Sequence, residues 1–305
     1  MSDSALEFPK YLVSCEWLRE RLGEPDLVVI DIRGYVRSED KGGGRQVSSY
    51  DPAPDEYAKG HIPGSVYVDW TRDIVDGDAV VKAQIAPPDV FAQAMSSRGV
   101  GDATRVLVAD HSGGHFATRM WWALHYYGHA RVAVLDGGYK RWEVLGLPLD
   151  SGTTMQPGVA TFTAKVNPDL IANVEDVAAL VERGDGQLID ARDAATFAGE
   201  TQRGARGGHI ATAKHFPASA MFGSDGLWKS PDEIRRLAEQ SGLDLDAPTT
   251  SYCNGGVTAT AVMFGLMQAG ATQVRNYDGS WNEWGERADL PVESNRDLWG
   301  RDERK

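Results

Sequence analysis

The chain alternates short apolar runs with longer amphipathic stretches. Leu27-Val-Val-Ile-Asp31, Arg105-Val-Leu-Val-Ala-Asp110 and Arg131-Val-Ala-Val-Leu135 have the length and β-branched content of buried parallel strands. Residues 15–22, 88–98 and 116–127 carry helical spacing, with Ser14 as N-cap and Gly23 as C′ stop of the first. Further along, 187–190 and 249–252 read as strands, and 174–183 (capped by Asn173) and 260–268 as helices. Strands alternating with helices predict an α/β fold with mostly parallel sheets flanked by helices. The stretch 41–54 breaks the pattern: Lys41-Gly-Gly-Gly-Arg45 and Asp51-Pro-Ala-Pro54 predict a mobile surface loop. Its glycine run lacks the Lys-Ser/Thr and helix of a phosphate loop.

The pattern occurs twice. Val28-Val-Ile-Asp31-Ile-Arg33 matches Gln187-Leu-Ile-Asp190-Ala-Arg192, and Gly60-His61-Ile matches Gly208-His209-Ile. The loop after Asp110 matches the loop opened by Cys253, and Asp136-Gly-Gly-Tyr-Lys-Arg-Trp142 matches Asp278-Gly-Ser-Trp-Asn-Glu-Trp284. Four pairs in the same order predict an internal duplication. The expected layout is a first domain over 9–150, a polar linker over 151–167 and a second domain over 168–293.

Length allows two domains, since the chain has 305 residues. No apolar run approaches the ~20 residues of a membrane span. The first eight residues lack a basic region followed by an apolar one, so no secretory signal is expected. A net charge of −13 argues against nucleic acid and anionic membranes as partners. The chain has only two cysteines, Cys15 and Cys253, which makes a disulfide framework improbable and a reducing cytoplasm the expected compartment. Cys15 falls in the first turn of a surface helix with no glycine nest before it, and reads as structural.

Cys253 is different. It opens the loop Cys253-Asn-Gly-Gly-Val-Thr258 between a buried strand and an apolar helix. Gly255 and Gly256 let the backbone turn its N–H groups inward, and the helix adds the positive end of its dipole. Both features favour a nucleophilic thiolate cradled by amides. The alternative is a small inert core cysteine.

Three ordered stretches settle between these readings. Cys253-Asn-Gly-Gly-Val-Thr258, Asp190-Ala-Arg192 and Tyr277-Asp-Gly-Ser-Trp-Asn-Glu-Trp284 resemble the motifs of the tandem-domain rhodanese sulfurtransferases, and the likeness extends over about 9–293. The resemblance implies two rhodanese-like domains, only the second catalytic. Asp110 stands in the cysteine place of the first and cannot hold a persulfide. The implied reaction moves a sulfane sulfur from a small anionic donor to cyanide or a thiol, including a protein thiol, through a persulfide on Cys253. No metal or organic cofactor is implied.

Asn254, Gly255, Gly256, Val257 and Thr258 would line the active site, with Thr258 either bonding the sulfur or capping the helix. The resemblance gives Arg192 the donor's anionic group, leaves Arg203 and Arg206 as nearby cations, and places His61 either at the cleft or bracing a turn. Thiosulfate is the first expectation for the donor and 3-mercaptopyruvate the alternative. The loop has neither the basic residues associated with the former nor the Gly-Ser/Thr pair associated with the latter. A cysteine phosphatase would need an arginine where Ala259 stands. A cysteine hydrolase lacks an evident histidine base, and a noncatalytic sensor or scaffold would not need the intact cysteine.

Overall fold

The structure is a computed structural model and describes residues 8–153, 158 and 160–294. Most of the N-terminal stretch considered for a signal, and residues 154–157 and 159 of the expected linker, lie outside that set. The strands of the first half are β1 (Leu12–Val13), β2 (Leu27–Asp31), β3 (Gly34–Asp40), β4 (Arg45–Pro52), β5 (Val66–Tyr67), β6 (Arg105–Ala109) and β7 (Val132–Leu135). Its helices are α1 (Cys15–Arg19), α2 (Pro54–Lys59), α3 (Pro88–Ser96), α4 (His115–Tyr126) and α5 (Gly138–Val144). The second half holds β8 (Ile171–Ala172), β9 (Gln187–Asp190), β10 (Gln202–Arg203), β11 (His209–Ile210), β12 (Lys214–His215), β13 (Thr249–Tyr252), β14 (Val274–Tyr277) and β15 (Val292–Glu293). Its helices are α6 (Val174–Arg183), α7 (Ala194–Ala198), α8 (Pro231–Gln240), α9 (Ala259–Gln268) and α10 (Ser280–Trp284).

Each half is built on a five-stranded parallel sheet. The orders are β1-β7-β6-β2-β5 and β12-β9-β13-β14-β8. Strands β7, β9 and β13 are buried along their whole length and β6 beyond Arg105, which is why β6 and β7 read as continuous apolar runs rather than alternating ones. Helix α1 ends at Arg19, three residues earlier than expected, and Ser14 caps it by accepting from the Trp17 N–H. Asn173 forms a full capping box with Asp176 at the start of α6.

The two halves share one core. Helices α4 and α9 pack together, with Trp121 edge-on to Phe264 and the Thr118 and Thr260 hydroxyls 3.1 Å apart. The described part of the linker lies along the first domain, where Lys165 and Asn167 donate their N–H groups to the Tyr127 and Tyr126 carbonyls.

The loop expectation for 41–54 is corrected. Residues 34–52 form the antiparallel hairpin β3–β4, turned by Gly42, Gly43 and Gly44 at positive φ. The glycines serve a tight turn, and Val36, Val47 and Tyr50 supply strand-forming side chains on either side of it. The hairpin also crosses to the other domain: Arg45 and Gln46 of β4 pair in parallel with Gln202 and Arg203 of β10. This pairing sets one wall of the site.

Candidate active site

Strand β13 ends at Tyr252, and the next residue is Cys253, buried at the carboxyl edge of the sheet. Ligand sites in parallel sheets collect at this edge. The loop start is clamped from below. The Cys253 N–H donates to Ser280 Oγ at 3.1 Å, Ser280 Oγ donates to the Tyr277 carbonyl at 2.7 Å, and the Cys253 carbonyl accepts from the Trp281 N–H. The Asn254 carbonyl accepts from the Asn282 N–H at 2.8 Å. The 277–284 stretch singled out in the sequence is thus the floor under the cysteine.

The N–H groups from Asn254 to Ala259 have no protein acceptor among the described residues. The first domain supplies the contrast. There the Asp110 carboxylate takes the N–H groups of Ser112, Gly114, Phe116 and Ala117, at 2.8 to 3.0 Å. One copy of the loop therefore holds a built-in anion, and the other presents free donors around a sulfur.

A cleft of about 250 Å³ opens onto Cys253. Asn254, Gly255, Val257 and Thr258 line it from the loop, Arg192, Asp193 and Arg203 from the rest of the second domain, and Val36, Ser38 and Tyr50 from the hairpin. Gly256 sits behind this surface. Its φ is +70°, and a Cβ there would lie 2.8 Å from the Asp278 carbonyl oxygen. Gly256→Ala is expected to destabilise the protein by about 2 kcal/mol and to slow the chemistry of Cys253, read by denaturant unfolding and by activity on the same preparation.

The arginines divide their duties. Arg192 lines the cleft, but its charge is already matched. Its Nε lies 2.9 Å and 3.0 Å from the two Asp190 oxygens, its Nη2 donates to the Gly208 carbonyl at 2.7 Å, and its guanidinium rests over Trp281. The first domain repeats the arrangement with Arg33, Asp31 and the Gly60 carbonyl, although it has no nucleophile. A pair kept in both copies braces the strand end against the Gly-His turn. Arg206 is occupied by the carbonyls of Trp284, Gly285 and Leu290. Arg203 differs: it is half-buried, forms no ion pair among the described residues, and its Nε is buried without a partner. Asp193 shares the rim. Burial pushes its carboxyl up, but hydrogen bonds from the Thr196 N–H and hydroxyl outweigh that and leave it below its usual range.

His61 is not at the cleft, which corrects that half of its expectation. It is buried in the first domain, with Nδ1 donating to the Tyr57 carbonyl at 2.9 Å and its ring stacked on Tyr57. His209 does the same with Phe197, so both histidines brace turns.

Two residues escaped the sequence analysis. Tyr50 lay inside the supposed loop. Arg119 reaches from α4 of the first domain across the interface, where it ion-pairs with Asp278 and donates to the Gly256 carbonyl at 3.2 Å and the Ala83 carbonyl at 2.8 Å. Asp278 also accepts from the Ile85 N–H at 2.7 Å. An arginine in a helix otherwise rich in buried aromatic and apolar residues was the available signal.

Two doubled α/β units, with a cysteine in an open amide nest in one and a carboxylate closing the nest in the other, define a class of thiol-based group-transfer enzyme. The rhodanese-like domain model matches residues 14–144 and 173–287, and the chain belongs to that family. It is 34% identical to the 3-mercaptopyruvate sulfurtransferase of Escherichia coli strain K12 over 93% of this chain and 98% of that protein. It is also 34% identical to the Homo sapiens 3-mercaptopyruvate sulfurtransferase, over 91% of this chain and 92% of that one. Its identity to the Arabidopsis thaliana thiosulfate/3-mercaptopyruvate sulfurtransferase 1 is 32%, over 96% and 80%. The crystal structure of Escherichia coli SseA, a 3-mercaptopyruvate sulfotransferase by its description, superposes with a TM-score of 0.78 at 30% identity and covers 90% of this chain and 99% of that one. The protein is an enzyme with sulfurtransferase activity. No helix among the described residues is long and apolar enough to cross a membrane.

Proposed function

We propose that the protein takes a sulfur atom from a small anionic donor, the sulfane sulfur of thiosulfate or the thiol sulfur of 3-mercaptopyruvate, holds it on Cys253 as a persulfide, and passes it to cyanide, a small thiol or a protein cysteine. The observation that carries this reading is the set of unpaired N–H groups from Asn254 to Ala259 around Cys253. The Cys253 thiolate attacks the outer sulfur of thiosulfate or the thiol sulfur of 3-mercaptopyruvate. With thiosulfate the S–S bond breaks and sulfite leaves with the electron pair; with 3-mercaptopyruvate the S–C bond breaks and the pyruvate carbon takes both the pair and a proton. The terminal sulfur left on Cys253 carries negative charge, which the loop amides stabilise as they would an oxyanion. The chemistry calls for no metal or organic cofactor. A reducing compartment, the cytoplasm in this reading, keeps the thiol ready. The first domain is catalytically silent and contributes a wall.

Charge ranks the donors. Arg203 is the uncommitted cation of the cleft, and Asp193 adds a negative charge beside it. A single cation partly offset by the neighbouring carboxylate suits a monoanion better than a dianion, which places 3-mercaptopyruvate above thiosulfate, with both inside the reading. Arg203→Gln is expected to lower kcat/KM about 10- to 100-fold with either donor, the value of one charge-assisted hydrogen bond. The test is thiocyanate formation from cyanide with each donor in turn. Turnover with both, faster with 3-mercaptopyruvate, is the expected result; turnover with neither would overturn the proposal.

A further inference from the structure

Gly255 leaves the active-site loop without a side chain at a position that faces the cleft, and Asn282 of the same domain and Tyr50 of the other fill that place. A Cβ on Gly255 would lie 2.9 Å from Asn282 Nδ2 and 3.1 Å from the Tyr50 hydroxyl. Asn282 Nδ2 donates to the Tyr50 oxygen at 3.0 Å. This occupies the oxygen as an acceptor and leaves its O–H proton to be given elsewhere. Tyr50 sits on β4, whose register with β10 fixes its height over the loop, and Trp70 meets its ring edge-on at 5.5 Å. Tyr50 and Cys253 line the same cleft.

We infer that the Tyr50 hydroxyl is the proton donor to the departing carbon of 3-mercaptopyruvate, a role that thiosulfate does not call on. The inference rests on the sulfurtransferase reading above. When the thiolate takes the sulfur of the keto-thiol, the S–C bonding pair becomes the pyruvate enolate, which needs a proton to leave as pyruvate. Tyr50 gives that proton and becomes a phenolate. The proton of the new Cys253–S–SH group then returns to Tyr50, leaving the persulfide anion among the loop amides. Sulfite leaves thiosulfate as a stable anion and draws no proton from the site.

Two other hydroxyls, those of Ser38 and Thr258, line the cleft. Aliphatic alcohols are far weaker acids than a phenol, which makes them poorer donors to an enolate. Burial pushes the Tyr50 hydroxyl above its ordinary range, and the charge of Cys253 acts in the same direction. Tyr50 therefore holds its proton at neutral pH until the enolate forms.

The test is single-turnover sulfur loading of Cys253, followed by intact-protein mass, for wild type and Tyr50→Phe with each donor. General-acid assistance is worth roughly 10²–10⁴-fold. The ratio of the 3-mercaptopyruvate rate to the thiosulfate rate is expected to fall about 100-fold in Tyr50→Phe, with thiosulfate loading as the check that the variant is folded and its loop intact. An unchanged ratio, whether both rates fall together or neither moves, would overturn the inference. Wild type loading from thiosulfate alone would also remove it and leave sulfur transfer standing. Wild type loading from neither would remove the sulfurtransferase reading itself.

Discussion

Cys253→Ser is expected to abolish turnover with both thiosulfate and 3-mercaptopyruvate, by at least about 10³-fold, while the fold stays intact. Serine keeps the approximate size of the side chain and the contacts of the loop, because the Cys253 main chain makes them, its N–H donating to Ser280 Oγ and its carbonyl accepting from the Trp281 N–H. What it loses is the atom that can form a sulfur–sulfur bond. The amides from Asn254 to Ala259 would still be present to bind an anion. Donor binding, measured as thermal stabilisation by thiosulfate, should therefore persist in the variant. Loss of activity together with loss of folding would show that the side chain was placed for packing. Cys15→Ser is the companion variant. Burial pushes that thiol up to about 11, so it is protonated at neutral pH. Its removal should leave both rates unchanged.

Arg119→Leu is expected to cost about 3–5 kcal/mol, the largest stability loss of any single exchange considered. The guanidinium is buried and ties three groups together: the Asp278 carboxylate, the Gly256 carbonyl and the Ala83 carbonyl. Leucine fills much of the volume but leaves the buried Asp278 carboxylate without its cation and both carbonyls without this donor. A drop in Tm of roughly 5–15 °C should follow. Because Gly256 belongs to the active-site loop, kcat should fall as well. Adding Asp278→Asn to Arg119→Leu removes the stranded charge, so the double variant should be more stable than the sum of the two single losses. Strict additivity would mean that the ion pair does not couple the domains.

The parallel sheets were legible because most of their strands are buried on both faces, and such strands leave apolar runs; 27–31 matches the structure residue for residue, whereas β13, Thr-Thr-Ser-Tyr, is legible only as the strand end before the Cys253 loop. The duplication and the Cys253 loop were legible for a similar reason, since short motifs carry them. The hairpin was not. Its outer strand residues are polar and exposed, as an edge hairpin allows, and a triple glycine between them reads as a loop unless the flanking Val36, Val47 and Tyr50 are weighed. Arg192 was read from its position and not from its neighbour. Asp190 lies two residues before it, and the same spacing at Asp31 and Arg33 in the first copy was the sign that the pair is internal. Arg203 could be ranked above Arg206 only once the carbonyls around Arg206 were known, because those partners come from residues about eighty positions away.

The most direct test of the account is the mass of the intact protein after incubation with each donor, for wild type and Cys253→Ser. The account predicts a gain of one sulfur atom in the wild type only, present after removal of excess donor and cleared by cyanide. A wild type that turns over either donor without ever gaining sulfur, or a Cys253→Ser variant that gains it equally, would contradict the assignment of the persulfide to Cys253.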